Sequence, residues 1–223
     1  MFTQEKKTAL VTGASSGMGK AIARRLIDDG YQVYVAARSI NKMADLAELG
    51  AQPLRMDISS DEEIVSGVNR ILSQTGGVDV LVNNAGFGLY GPVEEVSIDE
   101  ARYQFEVNLF GAARLTQLLL PAMRSRGAGH IVNVTSMGGK MYSMLGAWYH
   151  ATKHALEGWS DCLRLEVARF GIKVVIVEPG VIETGFGDAA SETIVKRSAS
   201  GPYGQLVQMV ATAINKTYGQ GTG

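Results

Sequence analysis

The chain has 223 residues, 46% of them apolar, and carries 21 Lys and Arg against 22 Asp and Glu, for a formal net charge of −1. That length and apolar share suit one sizeable core, so a single α/β domain is expected. Balanced charge with no basic run or stripe excludes nucleic acid or an anionic membrane surface as the main partner. Cys162 is the only cysteine, which rules out an internal disulfide or a cysteine cluster, and it should pack on a helix flank or in the core. His130, His150 and His154 do not form a ligand set, so no metal is expected, and these side chains read as structural or pocket-lining. Met1–Lys7 is polar and has neither a signal-peptide core nor a membrane span, which points to a cytoplasmic protein.

Thr8–Thr12 reads as a short buried strand, followed by the turn Gly13-Ala14-Ser15-Ser16-Gly17-Met18-Gly19 and a helix with Met18, Ile22 and Leu26 on one stripe. Strand, glycine turn and helix in that order suit a nucleotide diphosphate: glycines admit the backbone closely, and the first helical turn offers unpaired N–H groups to phosphate oxygens. Gln32–Ala36 is the second strand. Ala37 and Arg38 follow it, where an acid would repel a 2′-phosphate, so a small neutral residue and a guanidinium favour NADP(H). The competing reading of Arg38 is a solvated loop cation.

Asn41–Leu49 should form a short helix and Gln52–Met56 the third strand, ending at Asp57-Ile58. Ser59 and Ser60, with Glu62 and Glu63 three residues on, read as capping boxes for the next helix and leave Asp57 free of that duty. Val78–Val82 is the fourth strand and leads into Asn83-Asn84-Ala85-Gly86. Ser97-Ile98-Asp99-Glu100 reads as a capping box opening a long helix to about Arg126, kinked at Pro121. Asn108 lies on an otherwise apolar face of that helix and must find partners.

His130–Thr135 is the fifth strand and ends on Ser136, thirteen residues before Tyr149. Tyr149 and Lys153 are four apart on the next helix, which places phenol and ammonium on one face. A phenol titrates near pH ~10 in water, and a neighbouring cation favours its phenolate. Met141, Tyr142, Met144, Leu145 and Trp148 could wall an apolar pocket or pack on the core or a neighbouring subunit. Ile172–Val177 is the sixth strand. Gly185–Gly204 has no strong period and suggests a mobile substrate lid or a surface loop, and Gln205–Lys216 returns to helical spacing through Leu206, Met209, Val210 and Ile214.

These motifs, in this order and spacing, resemble the short-chain dehydrogenase/reductase family from Lys7 to Thr184. The resemblance implies a doubly wound parallel sheet of Rossmann type, though no strand is visible after Lys216 to close the C-terminal edge. It implies Ser136, Tyr149 and Lys153 as the catalytic set, with Asn108 bending its helix and holding a water that links the lysine to solvent. Gly13, Ser15, Ser16, Gly17, Met18 and Gly19 would bind the dinucleotide, with Tyr149 and Lys153 also touching it. By the same resemblance Asp57 and Ile58 would meet the adenine, Asn84, Ala85 and Gly86 the adenosine ribose, and Pro179, Gly180, Ile182 and Thr184 the nicotinamide end.

The implied activity is NADP(H)-dependent interconversion of a carbonyl and a secondary alcohol on a lipophilic small molecule, by a homodimer or homotetramer. A dinucleotide sensor without turnover is the alternative, and the intact Ser136, Tyr149 and Lys153 count against it. A related epimerase or dehydratase would usually have a longer chain.

Overall fold

A computed structural model describes residues 6–182 and 185–218. The chain divides into two compact units. The first takes the segments up to Ala85, Phe110–Val134 and Gly158–Val177, and the second takes Gly86–Leu109, Thr135–Glu157 and the segment from Glu178 onward.

The first unit holds the whole sheet. Strands β1 (Thr8–Thr12), β2 (Gln32–Ala37), β3 (Gln52–Arg55), β4 (Val80–Asn83), β5 (Gly129–Val134) and β6 (Ile172–Val177) lie in the order β3-β2-β1-β4-β5-β6, every pair parallel. All five residues of β1 are buried, as the continuous apolar runs of a sheet covered on both faces require. Crossovers run outward from β1 in one direction and from β4 in the other, so the sheet is doubly wound and its topological switch falls between these two strands.

Helices α1 (Gly17–Asp28), α2 (Ala44–Glu48), α3 (Asp61–Thr75) and α5 (Gly111–Arg126) belong to this unit. Met18, Ile22 and Leu26 of α1 pack on the core formed by Val11, Val33 and Val35, as their stripe predicts. Buried amides tie β4 to β5: Asn83 Nδ2 donates to Asn133 Oδ1 at 2.9 Å, and Asn133 Nδ2 donates to Ser160 Oγ at 2.8 Å. Among the described residues no strand follows β6, which stands at the sheet edge with Val175 and Val177 exposed.

The second unit contains α4 (Ile98–Phe105), the first half of α6 (Ala147–Val167), α7 (Gly185–Ser198) and α8 (Gly204–Tyr218). The Ser97/Glu100 capping box is present on α4. The long helix expected to run to Arg126 with a kink at Pro121 is interrupted instead by one π-helical segment, Glu106–Phe110, centred on Asn108, the residue that the resemblance implies would bend it, while α5 runs on through Pro121. The segment read as lacking a period, Gly185–Gly204, is helical over most of its length as α7. Its end is held from outside: Arg197 grips Glu100 with both terminal nitrogens, at 2.9 and 2.5 Å, and the Ser198 hydroxyl donates to Glu95. On α8 the buried residues are Val207 and Ala211, while Met209 faces outward at 53% exposure.

Candidate active site

The turn between β1 and α1 is drawn tight by its glycines. Gly13 and Gly17 have φ of 66° and 51°, the left-handed region open to glycine. A Cβ on Gly19 would stand 2.4 Å from both Gly13 O and Asn84 Nδ2, so the helix start lies flat on the turn. The Asn84 side chain donates to Thr12 O at 3.0 Å, and the Thr12 hydroxyl accepts from the Asn84 and Ala85 amides at 3.1 and 3.0 Å. Asn84 and Ala85 therefore brace the turn from the neighbouring strand end.

Ser16 begins α1 in an extended conformation and makes no side-chain cap bond, which leaves the first N–H groups of the helix for another acceptor. Met18 turns its side chain into the core, so its backbone is what it offers there. Positive φ, the absence of room for side chains and an uncapped helix start fit a dinucleotide pyrophosphate.

Ala37 is buried and Arg38 exposed at the end of β2. Burial alone would push the Asp57 carboxyl up, but hydrogen bonds from Ser59 and the charges of Arg38 and Arg55 hold it below its ordinary value. Asp57 Oδ1 accepts from the Ser59 amide and hydroxyl at 2.9 and 2.7 Å, and Ile58 is buried beside it. Ser60 caps α3, whereas the Glu63 side chain turns back to the Asp57 amide at 2.8 Å. Asp57 is thus spared the cap, as expected, although only half of the anticipated box forms.

The second unit brings Asn108, Ser136, Tyr149 and Lys153 together as parts of one compact body. Tyr149 and Lys153 occupy successive turns of α6 at 6% and 5% exposure. Burial pushes the Lys153 ammonium down to about 8, opposed by the charge of Glu157 one turn on. A Cβ on Gly86 would lie 3.7 Å from Lys153 Nζ and 3.2 Å from Asn108 Oδ1, so the Gly86 backbone forms one wall beside the amine. Asn108 Oδ1 accepts from the Phe87 amide at 3.0 Å, and its Nδ2 donates to Phe87 O and Thr152 Oγ1 at 2.9 and 3.0 Å. Both ends of this amide are committed to fixing the Phe87 backbone against Thr152 of α6.

Ser136 has an extended backbone, and its hydroxyl oxygen accepts from the Gly138 amide at 3.0 Å, which leaves its proton free to donate elsewhere. The Met137 amide donates to Pro179 O at 3.0 Å, placing the Pro179-Gly180 turn beside the serine. Ile182 is half-buried beyond it, and Thr184 lies outside the described residues. Met141, Tyr142 and Met144 are 44%, 86% and 55% exposed, so they do not pack on the core, and Cys162 is likewise exposed on the α6 flank.

Tyr90 and Glu157, which the sequence left without a role, and His150, read there as structural or pocket-lining, crowd this centre. The Tyr90 ring stacks obliquely on Tyr149 with centroids 5.4 Å apart, Glu157 is buried with Lys140 Nζ 2.9 Å from its Oε2, and both ring nitrogens of His150 are engaged. Only Glu157, an acid four residues after Lys153, left a trace in the spacing.

Among the described residues no group of three or more His, Cys, Asp or Glu could hold a metal, and no helix is long and apolar enough to cross a membrane. A family model described as short chain dehydrogenase matches residues 7–194. The 3-ketodihydrosphingosine reductase of Bacteroides thetaiotaomicron is 38% identical over 179 residues, which cover 80% of this chain and 65% of that protein. Among solved structures, a variant of actinorhodin polyketide ketoreductase with NADPH is 35% identical at a TM-score of 0.80, covering 98% of this chain and 94% of that one. A short-chain dehydrogenase/reductase of Burkholderia phymatum in complex with NAD is 26% identical at a TM-score of 0.85, covering 100% and 82%.

Proposed function

The chain belongs to the short-chain dehydrogenase/reductase family, and from that premise we propose that it interconverts a carbonyl and a secondary alcohol with NADP(H) as its dinucleotide. The observation that carries this reading is Lys153, an amine buried one helical turn from an equally buried Tyr149, in the same unit as a serine hydroxyl free to donate. A buried ammonium is costly, so its presence marks a functional candidate, and here it would favour the phenolate form of its neighbour.

A bound nicotinamide dinucleotide would supply or accept the hydride. In the reducing direction Ser136 donates a hydrogen bond to the carbonyl oxygen, and Tyr149 gives up its proton as general acid. Lys153 stabilises the charge left on the phenol. Asn108 keeps the Gly86-Phe87 backbone and Thr152 in place around the amine, and a water on the remaining lone pair of its Oδ1 would complete a proton path to solvent. Gly13, Ser15, Ser16, Gly17, Met18 and Gly19 would hold the pyrophosphate, Arg38 a 2′-phosphate, and Asp57 and Ile58 the adenine. Pro179, Gly180, Ile182 and Thr184 would flank the nicotinamide.

A lipophilic substrate is supported by the outward-facing Met141, Tyr142 and Met144 between the serine and the tyrosine, and by the lipid-like ketone in the name of the Bacteroides relative. The region 185–204 would act as the substrate lid, moving about the Arg197 anchor at the end of α7. A homodimer or homotetramer would cover Leu165, which is 80% exposed on α6.

The test is a titration with NADPH and NADH, followed by a panel of ketones read by NADPH oxidation. Tyr149→Phe should keep NADPH binding while turnover falls by about 10²–10⁴-fold. Unchanged turnover removes the assigned acid, and tight binding without turnover across the panel turns the reading to a dinucleotide sensor.

A further inference from the structure

His150 follows the proposed acid directly and is 8% exposed, yet the reaction as described gives it nothing to do. Its ring is fully engaged. Nδ1 lies 2.9 Å from Gly138 O, and Nε2 lies 3.1 Å from the Ser143 amide nitrogen and 2.9 Å from the Ser143 hydroxyl. A carbonyl can only accept and an amide N–H can only donate, so Nδ1 carries the proton and Nε2 accepts. The geometry therefore selects one tautomer of a neutral imidazole.

The segment from Gly138 to Gly146 begins beside Nδ1 of this ring and joins the start of α6 beside Cδ2. Glycines stand at both ends because the ring leaves no room: a Cβ would meet Nδ1 at 3.0 Å on Gly138 and Cδ2 at 2.6 Å on Gly146. The Gly138 residue held through its carbonyl is also the one whose amide fixes the Ser136 hydroxyl at 3.0 Å. On its faces the imidazole packs edge-on against Tyr149 and Tyr90, with centroids 5.7 and 6.4 Å away.

We propose that His150 is a positioning residue whose Nδ1–H clamps the Gly138 carbonyl to set Ser136, and whose Nε2 clamps Ser143 to hold the apolar Met141–Leu145 segment for substrate. The two nitrogens then have separable duties, one felt in the chemical step and the other in substrate binding. The kinetic part of this inference rests on the carbonyl-reduction reading, and the structural part does not.

His150→Asn retains an amide donor at the level of Nδ1, and His150→Gln retains a polar atom at the level of Nε2. With a ketone turned over by the wild type, His150→Asn should hold kcat and raise KM about tenfold, and His150→Gln should lower kcat about tenfold, each the loss of one hydrogen bond. NADPH affinity should be unchanged in both.

Two readouts need no turnover. With only three histidines in the chain, ¹⁵N-histidine spectra at pH 7.5 should show one ring as the Nδ1–H tautomer with a slowly exchanging proton, a signal absent from both variants. Chymotrypsin should cut after the exposed Tyr142 faster in His150→Asn than in the wild type. If no ketone is reduced by the wild type, the enzymatic reading fails while the spectra and proteolysis still decide the clamp. An Nε2–H tautomer, or equal kinetic losses in the two variants with no split between KM and kcat, overturns the inference.

Discussion

Lys153→Met should make the protein more stable while abolishing turnover. Burial lowers the folded-state pKa of this lysine from 10.5 to about 8. At about 1.4 kcal/mol per unit, holding the amine protonated in the folded protein at pH 7 costs about 3 kcal/mol. Methionine has similar reach and no charge to desolvate, and Glu157 keeps its second cation, since Lys140 Nζ stays 2.9 Å from Oε2. The gain at pH 7 is therefore about 3 kcal/mol less whatever contacts the amine makes, equivalent to a rise in Tm of up to roughly 6–12 °C for a chain of this size.

The sign with pH is fixed by the depressed folded value. Between about 8 and 10.5 the unfolded chain binds the proton that the folded one has released, so wild-type stability gains from this group as pH rises through that window. The Met variant lacks that gain, so the difference between the two proteins should shrink from pH 7 to pH 10. Urea unfolding of both proteins at the two pH values measures it. A Met variant less stable than the wild type by the same amount at pH 7 and pH 10 would refute the assignment of a strained, buried ammonium.

Gly19→Ala should abolish NADPH binding in a fluorescence titration, because its Cβ would fall 2.4 Å from Gly13 O and Asn84 Nδ2 and force the turn open. Arg38→Ala should weaken NADPH binding by about 10- to 100-fold, the loss of a charge-assisted contact to a phosphate, and leave NADH unaffected; equal effects on both dinucleotides would make Arg38 a solvated cation. Arg197→Ala should lower the unfolding free energy by about 1 kcal/mol, since its forked pair with Glu100 is only partly shielded. The same change should speed proteolysis within α7, which loses its anchor to α4.

The strands were legible where side-chain type alone decides them. Thr8–Thr12 and Ile172–Val177 stand with the expected ends, because a run of β-formers on a parallel sheet needs no partner-specific detail. Val78 was expected to open β4, but its carbonyl accepts from Arg126 Nη2 at 2.7 Å and the strand begins at Val80. That bond comes from 48 residues away. The resemblance implies a bend at Asn108, but the π-helical form it takes over Glu106–Phe110 is not legible, since apolar periodicity runs through it. Asn108 bonds there to Phe87 and Thr152, and no local pattern names those partners. Helix α7 lacked a stripe because a charge pair at its end does part of what an amphipathic face usually does. In the site, Tyr149 and Lys153 could be read from spacing on one helix, whereas the Tyr90 ring and the nitrogens of His150 acquire partners only after the chain has folded back.

The twelve residues between Ser136 and Tyr149 pose a physical problem that this geometry answers. A serine at the end of a loop is placed no better than the loop itself, and catalysis tolerates errors of only a fraction of an ångström. Here the backbone lies directly on α6: Gly138 rests over Tyr149 and His150, and a Cβ on Gly139 would come within 2.8 Å of Glu157 Cγ and 3.1 Å of Lys153 O. Glycine is required because the helix itself is the wall of the loop. Polar clamps then stop the chain from lifting away, His150 at Gly138 and Ser143, and the buried Glu157 at Lys140, the residue after Gly139. One helix therefore carries the phenol, the amine and the groups that hold the segment beginning at the serine, so that segment is fixed by a rigid element rather than by its own loop.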